Sequence, residues 1–454
     1  MRKESRGSTI VPVSTNTVRS FRLVCPWEQV PLVEDLLRAQ GYDFAPEPFS
    51  PLCRHLLCEP RPLGSSLAAF FGYIYIQDRS SMLPPLALNP PPGGAVLDMC
   101  ASPGSKTSFL GQLVGSKGFV LGNEPSPARL GILRTNVQRM NLLQVATCAY
   151  AGENLPLRPA SWDTILLDPP CSGWGTAEKH PQVLKLWKGD KLGSLIGLQR
   201  RLLRQASVLL RPGGRLAYST CTTNVQENED QIRFAEEELG LKRVPLAHFP
   251  GFAWEELPGG EGTLRVDGKR SQAQGFFVAL LQKPIQDETQ VPSLDAARTE
   301  YDQGSHMSPA HALDKAFADR ALSRQAMSGP TCDPALLPPG QALPFGQHVR
   351  FVPYLAERIL PPSFVWQGAL LGKLADGALN VDARLRVLLP HNAASRDNVS
   401  SARLELEHVA DIVALLNGQS RQTGLEGREA ALWWRGLPLG RIALKKGRAV
   451  AGFR

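Results

Sequence analysis

Two cysteines stand out by where they fall. Cys221 lies in Ser219-Thr220-Cys221-Thr222, closing the apolar run 215–220, and Cys171 lies in Asp168-Pro169-Pro170-Cys171-Ser172-Gly173, just after the apolar run 161–168. Both runs read as strands, so both thiols sit at strand ends, where the sites of doubly wound sheets form. A thiolate is a competent nucleophile for covalent catalysis. Added to carbon 6 of a pyrimidine, it makes carbon 5 electron-rich enough to accept an alkyl group. A free thiol has a pKa of about 8.5, so a working site must favour the thiolate. Most single cysteines are simply buried. Two of them at successive strand ends, with Asp168 close by, favour chemistry instead. Asp168 is held by the stiff backbone of Pro169-Pro170 and suits a base edge that presents amino and ring-nitrogen groups.

Two other segments suit a bound nucleoside. The stretch Asp98-Met99-Cys100-Ala101-Ser102-Pro103-Gly104-Ser105-Lys106-Thr107 follows a short apolar strand and opens a helix from about Lys106. Its small residues let backbone approach a ligand, and N–H groups at a helix start bind carboxylates. It is not a Walker phosphate loop, because the four-residue gap between two glycines before the lysine is missing. Glu124 ends the next apolar run, where an acid can accept hydrogen bonds from both hydroxyls of a ribose.

These residues need a frame, and the chain supplies a strand–helix rhythm. The spacing predicts strands at 95–99, 118–124, 161–168, 215–220 and 275–283, with helices over 127–141 and 195–210. Alternation of this kind predicts an α/β fold with a doubly wound, mostly parallel sheet. The unbroken apolar run at 161–168 fits a strand covered on both faces. Ahead of this domain (63–283), residues 1–20 read as a disordered leader. Residues 21–62 read as a small module whose amphipathic helix stops at Gly41. Beyond it, 284–345 reads as a Pro- and Ser-rich linker with one helix near 310–324, and 346–454 as a β-rich domain.

Composition limits the partners. The 454 residues carry a net charge of +8, and from Arg421 onward eight Lys or Arg face two Glu. That balance suits a polyanion such as nucleic acid. No stretch reaches the roughly 20 apolar residues of a membrane span, and the N-terminus lacks an apolar signal core. The eight cysteines include no Cys-x-x-Cys pair, so neither a metal site nor a disulfide framework is expected, and a reduced, cytoplasmic monomer is.

Taken together, "YIQDRSSMLPPLAL" (75–88), the loop 98–107, "DPPCSG", "LRPGGRLAYSTCT" and "NVQENEDQI" resemble the Sun-family RNA cytosine-5 methyltransferases, the group of the RsmF and RsmB enzymes. The resemblance covers roughly residues 70–283. It implies a class I methyltransferase fold with S-adenosylmethionine as donor. It also implies an RNA substrate, ribosomal RNA ahead of transfer RNA. Cys100, Ala101, Ser102, Pro103, Gly104, Ser105 and Lys106 would wrap the cofactor. Glu124 would hold its ribose, with Arg129 on the following helix. Asp168 would adjoin both cofactor and target base, with Lys106 orienting the site. Cys221 would be the nucleophile, and Cys171 would assist product release. The C-terminal region resembles a PUA-like RNA-binding domain.

Two positions depart from the family pattern. Ser105 replaces the second glycine of Pro-Gly-Gly-Lys, which is tolerable unless that residue needs positive φ. Ala151 stands where the family has an Asp for the adenine amino group, which predicts weaker cofactor binding. Other readings stay open on the residues alone. DNA cytosine methylation would use Pro170-Cys171, and amino-group methylation would need an aromatic residue where Cys171 stands. A catalytically silent RNA-binding factor would treat Ala151 as an early loss.

Overall fold

The computed structural model describes residues 18–177, 180–183, 190–285, 321–327, 329, 331–375, 378–390 and 402–453. The expected leader up to residue 17, and the helix expected near 310–324 up to residue 320, lie outside them.

The N-terminal module is a four-stranded antiparallel sheet, ordered β2-β3-β1-β4, with one helix across it. Its strands are β1 (Ser20–Leu23), β2 (Asp43–Glu47), β3 (Ser50–Cys58) and β4 (Ile74–Ile76), and its helix is α1 (Val30–Arg38). Val30, Val33, Leu36 and Leu37 form the buried stripe of α1. Gly41 follows at φ +86°, which stops the helix as its sequence position suggested. The sheet takes β4 from beyond residue 62, so the module closes only after a short helix, α2 (Leu67–Phe70).

The central sheet runs β10-β12-β9-β8-β5-β6-β7, with β11 paired to β12. The strands are β5 (Ala95–Asp98), β6 (Phe119–Asn123), β7 (Val145–Cys148), β8 (Trp162–Leu167), β9 (Leu210–Thr220), β10 (Lys242–Val244), β11 (Leu264–Val266) and β12 (Phe276–Gln282). Strands β5 to β9 are parallel, while β10 to β12 turn antiparallel. The chain winds outward from β5 through β6 to β7, then crosses to the other side of β5 for β8 and β9. The carboxyl ends of β5 and β8 therefore flank the switch point, where such sheets hold ligands.

Helices α3 (Leu83–Leu88), α4 (Ser105–Val114), α5 (Pro127–Met140), α6 (Asp190–Leu209) and α7 (Glu229–Glu237) flank the sheet. Pro127 opens α5 at its first turn and Asn141 closes it in the left-handed region. Strand β7 has no counterpart among the expected elements: its four residues are too few to show periodicity. Strand β9 begins at Leu210, ahead of the expected 215, with an irregular register between Trp162 and Thr164 of its neighbour.

Beyond residue 320 the fold is β-rich. One sheet is ordered β13-β14-β15-β16, from Gly340–Phe345, His348–Pro353, Leu370–Ala375 and Ala378–Val381. The other is ordered β17-β19-β20-β21-β18, from Arg403–Leu406, Glu429–Trp434, Leu437–Lys445, Arg448–Ala451 and Arg421–Gln422. Inside the span expected as linker, the described residues hold a short helix, Arg324–Met327, and the first strand of this region begins at Gly340. Two further short helices, α8 (Tyr354–Ile359) and α9 (Val409–Leu416), accompany these sheets.

The C-terminal region is packed onto the rest of the chain. Leu437, Ile442 and Trp434 share a core with Phe21, Leu36 and Tyr73 of the N-terminal module. Ala356, Leu360 and Phe364 join the core of the central sheet. The Arg386 guanidinium is buried over the Tyr73 ring at 4.1 Å and donates to the carbonyls of Phe71, Gly72 and Arg139. Truncating Arg386 would leave those carbonyls without a donor, at about 1–3 kcal/mol for each that stays buried and unpaired.

Candidate active site

Three strand ends converge. Asp168 follows β8, Ser219 and Thr220 end β9, and Asp98 ends β5. The Asp168 carboxylate accepts from Lys106 Nζ at 2.6 Å and from Ser219 Oγ at 2.8 Å. Lys106 comes from the first turn of α4 and also lies 5.2 Å from the Phe276 ring centre. Burial opposes its charge, but Asp168 and Cys221 outweigh that and raise its pKa.

Cys171 and Cys221 meet, with their Sγ atoms 3.3 Å apart. The two thiols titrate together. Cys221 is held below the ordinary thiol value, chiefly by the hydrogen bond from Cys171, with Lys106 helping against burial and Asp168. Cys171 is pushed well above it by that same hydrogen bond and by burial. Of the two sulfurs, Cys221 is therefore the one whose thiolate the surroundings favour.

A residue given no role from the sequence holds this pair in register. Glu227 is fully buried just after β9. Its carboxylate accepts from Ser172 N–H at 2.9 Å, Ser172 Oγ at 2.5 Å, Gln199 Nε2 at 3.0 Å and Asn224 Nδ2 at 3.1 Å. Ser172 Oγ lies 2.7 Å from Thr222 Oγ1. The loop after Cys171 is therefore fastened to the loop after Cys221 through one carboxylate. The signal was present in "NVQENEDQI", a polar run abutting an apolar strand, but nothing local shows that its first acid points inward.

The loop after β5 is braced from inside. Thr107 Oγ1 donates to Asp98 at 2.6 Å and contacts the Ala101 carbonyl, and the Cys100 N–H reaches Asp98 at 3.3 Å. Burial pushes the Asp98 carboxyl up to about 6, against the hydrogen bond from Thr107. Cys100 is shifted well above the ordinary thiol value, first by burial and then by surrounding acids. Gly104 takes φ +104°, and Ser105 begins the helix with ordinary geometry. The substitution at Ser105 therefore meets no backbone strain. Ser102 Oγ donates to the Arg129 carbonyl, and Arg129 Nη2 returns a bond to the Ser102 carbonyl, both at 3.0 Å. Pro103 presents its carbonyl to Asn136.

Glu124 is buried at the end of β6. It accepts from Ser126 N–H at 2.9 Å and pairs with Arg129 at 3.3 Å. Beside it, buried Asn123 bonds the Tyr150 N–H at 2.9 Å and the Tyr150 carbonyl at 3.0 Å. Asn123 thereby sets the backbone that leads to Ala151, which is exposed and begins a short turn, Gly152–Asn154. No acid stands at Ala151, and Glu153 is two residues on. The donor set suits a nucleoside with a charged tail: an acid for a ribose diol and a helix N-terminus for a carboxylate.

The fold and this site define a class I S-adenosylmethionine-dependent methyltransferase domain. The family described as 16S rRNA methyltransferase RsmB/F matches residues 85–282. The chain is similar to ribosomal RNA small subunit methyltransferase F of Salmonella paratyphi A, 40% identical over 233 residues, covering 50% of this chain and 48% of that one. It is similar to the enzyme of the same description from Shewanella loihica, 36% identical over 261 residues, covering 55% and 53%. A solved methyltransferase homologue from Pyrococcus horikoshii is 32% identical with a TM-score of 0.50, covering 59% of this chain and 87% of that one. The chain belongs to the RsmB/F, or Sun, family of RNA methyltransferases. It spans about half the length of the curated relatives it matches.

Proposed function

We propose that this protein methylates carbon 5 of a cytosine in RNA, with ribosomal RNA as the substrate its curated relatives favour, through a covalent bond between Cys221 and the base. The pairing of Cys171 with Cys221, next to the Asp168–Lys106 ion pair, carries this reading. S-adenosylmethionine would supply an electrophilic methyl group. The segment from Cys100 to Lys106, Glu124 and Arg129 would hold it, with Ala151 near its base.

The chain's own residues divide the remaining work. The target cytosine must leave its stack, because the sulfur approaches carbon 6 from the face of the ring. The Cys221 thiolate adds there. Lys106 offers its ammonium as a donor to the electron-rich ring, and Asp168 accepts from the exocyclic amino group. Once carbon 5 is methylated, a water acting as base takes its proton, the carbon 5–carbon 6 double bond re-forms, and the carbon 6–sulfur bond breaks with its electron pair returning to Cys221. Cys171, whose thiol lies beside that sulfur, assists the release. The C-terminal sheets, with their basic last strands, would grip RNA as a PUA-like domain does.

The test is labelled S-adenosylmethionine with small-subunit ribosomal RNA, naked and assembled, followed by nucleoside analysis. Label in 5-methylcytidine that disappears with Cys221→Ala is expected, and Cys171→Ala should trap RNA on the protein. Full methylation by Cys221→Ala would overturn the scheme.

A further inference from the structure

Two arginines face each other where the central sheet meets the C-terminal region. Arg134 on α5 donates its Nε to Thr147 Oγ1 at 3.0 Å, at the edge strand β7. Arg350 on β14 donates to the Gly368 carbonyl at 3.0 Å. Both line a crevice of about 230 Å³. Its two walls are tied together by Thr147 and Gln367, whose backbones exchange hydrogen bonds of 2.9 and 2.8 Å.

No Asp or Glu lines this crevice among the described residues, and neither guanidinium has an ion pair there. Each is half-buried and makes one hydrogen bond to the protein, leaving most of its donors unclaimed. Burial lowers the pKa of both, and Arg134 lowers that of Arg350 further. Two half-buried like charges without a counter-ion destabilise a free protein and favour an anion between them.

The crevice leads on. Thr135 and Gln138 of α5 also line a second hollow, with Arg139 and Arg384. Arg139 Nε is buried without a partner. The carboxylate here, Asp382, accepts the backbone N–H of Arg384 at 2.9 Å. Guanidiniums spread over the two hollows, Arg134 and Arg139 from α5, Arg350 from β14 and Arg384 from beyond β16, suit an anion that repeats. Guanidinium forks match phosphate, and phosphate contacts hold a strand in register without reading bases. From β7 to β9 is four strand spacings, about 19 Å, so such a strand would reach Cys221 several nucleotides away.

We propose that the Arg134–Arg350 crevice binds backbone phosphate of the substrate RNA, outside the methylated nucleotide. This rests on reading the protein as an RNA methyltransferase. The full chain, Arg134→Gln, Arg350→Gln, the double variant and the double Lys variant would be titrated with labelled small-subunit ribosomal RNA across salt concentrations. Thermal midpoints and S-adenosylmethionine affinity would be read in parallel. The double Gln variant should bind RNA roughly tenfold more weakly, with a log–log salt slope reduced by about 1–2. The Lys variant should keep most of the slope, and cofactor affinity should not move. An unchanged slope in a folded double Gln variant overturns the proposal. So does stabilisation of the wild type by inorganic phosphate alone, with no change in RNA binding between variants, which would mark a free-anion site. If wild type binds RNA but methylates no cytosine, the function proposed above fails while the salt slope still judges the crevice.

Discussion

The Cys171 and Cys221 sulfurs lie 3.3 Å apart at the ends of two segments separated by 50 residues, and their hydrogen bond pushes the Cys171 thiol up and the Cys221 thiol down. Because that hydrogen bond is the main force lowering the Cys221 pKa, its removal should raise it. Alkylation of Cys221 by iodoacetamide, followed by mass spectrometry against pH, should show a midpoint below the usual thiol value of about 8.5. In Cys171→Ala the midpoint should move up. A midpoint that stays put would mean that Lys106 alone activates the thiol.

Glu227 ties the Cys171 loop to the Cys221 loop through Ser172. Glu227→Gln keeps the shape but turns one acceptor into a donor, leaving Ser172 or Gln199 unsatisfied at a cost of about 1–3 kcal/mol. The variant should fold, bind S-adenosylmethionine normally and lose at least roughly tenfold in kcat as the sulfurs drift out of register. Glu227→Asp, which restores the charge, should recover part of it. Single-turnover methyl transfer is the measurement.

Asp98 has its carboxyl raised by burial to about 6. An acid raised in the folded state stabilises it fully below the unfolded value, near 3.9, and loses that contribution as pH climbs through the folded value. Above pH 6 its charge therefore costs on the order of 2–3 kcal/mol. Asp98→Asn, which can still pair with Thr107, should melt several degrees higher than wild type at pH 8 and by about half that margin at pH 5, midway between the unfolded and folded values. Differential scanning fluorimetry at both values decides it.

Ala151 is exposed, and the backbone leading to it is fixed by Asn123. Ala151→Asp should therefore add an acceptor without refolding the loop. Its gain would be about 1.5–3 kcal/mol in cofactor affinity, or roughly ten- to hundred-fold. Isothermal titration with S-adenosylmethionine checks this. No gain would mean that Glu153 or a backbone carbonyl already serves.

Much of the site could be read from the sequence because its pieces sit at strand ends. A buried parallel strand is a continuous apolar run, and the polar residue that ends it is exposed to the ligand side by the geometry of the sheet. Asp98, Glu124, Asp168 and Cys221 were all visible in this way, and so was a helix start near Lys106, one residue past the observed Ser105. What such runs do not encode is which strand lies beside which. The order β9-β8-β5-β6-β7, the partnership of Cys171 with Cys221 and the clamp by Glu227 are contacts across many residues of sequence. They exist only after the crossover between β7 and β8 places those ends side by side. The same holds for the C-terminal region. Its β-rich character was legible from short apolar runs and glycines. Its seating on the N-terminal module, the burial of Arg386 against Tyr73 and the facing of Arg134 by Arg350 were decided by packing, because no local pattern distinguishes an arginine that will be solvated from one that a neighbouring domain will cover.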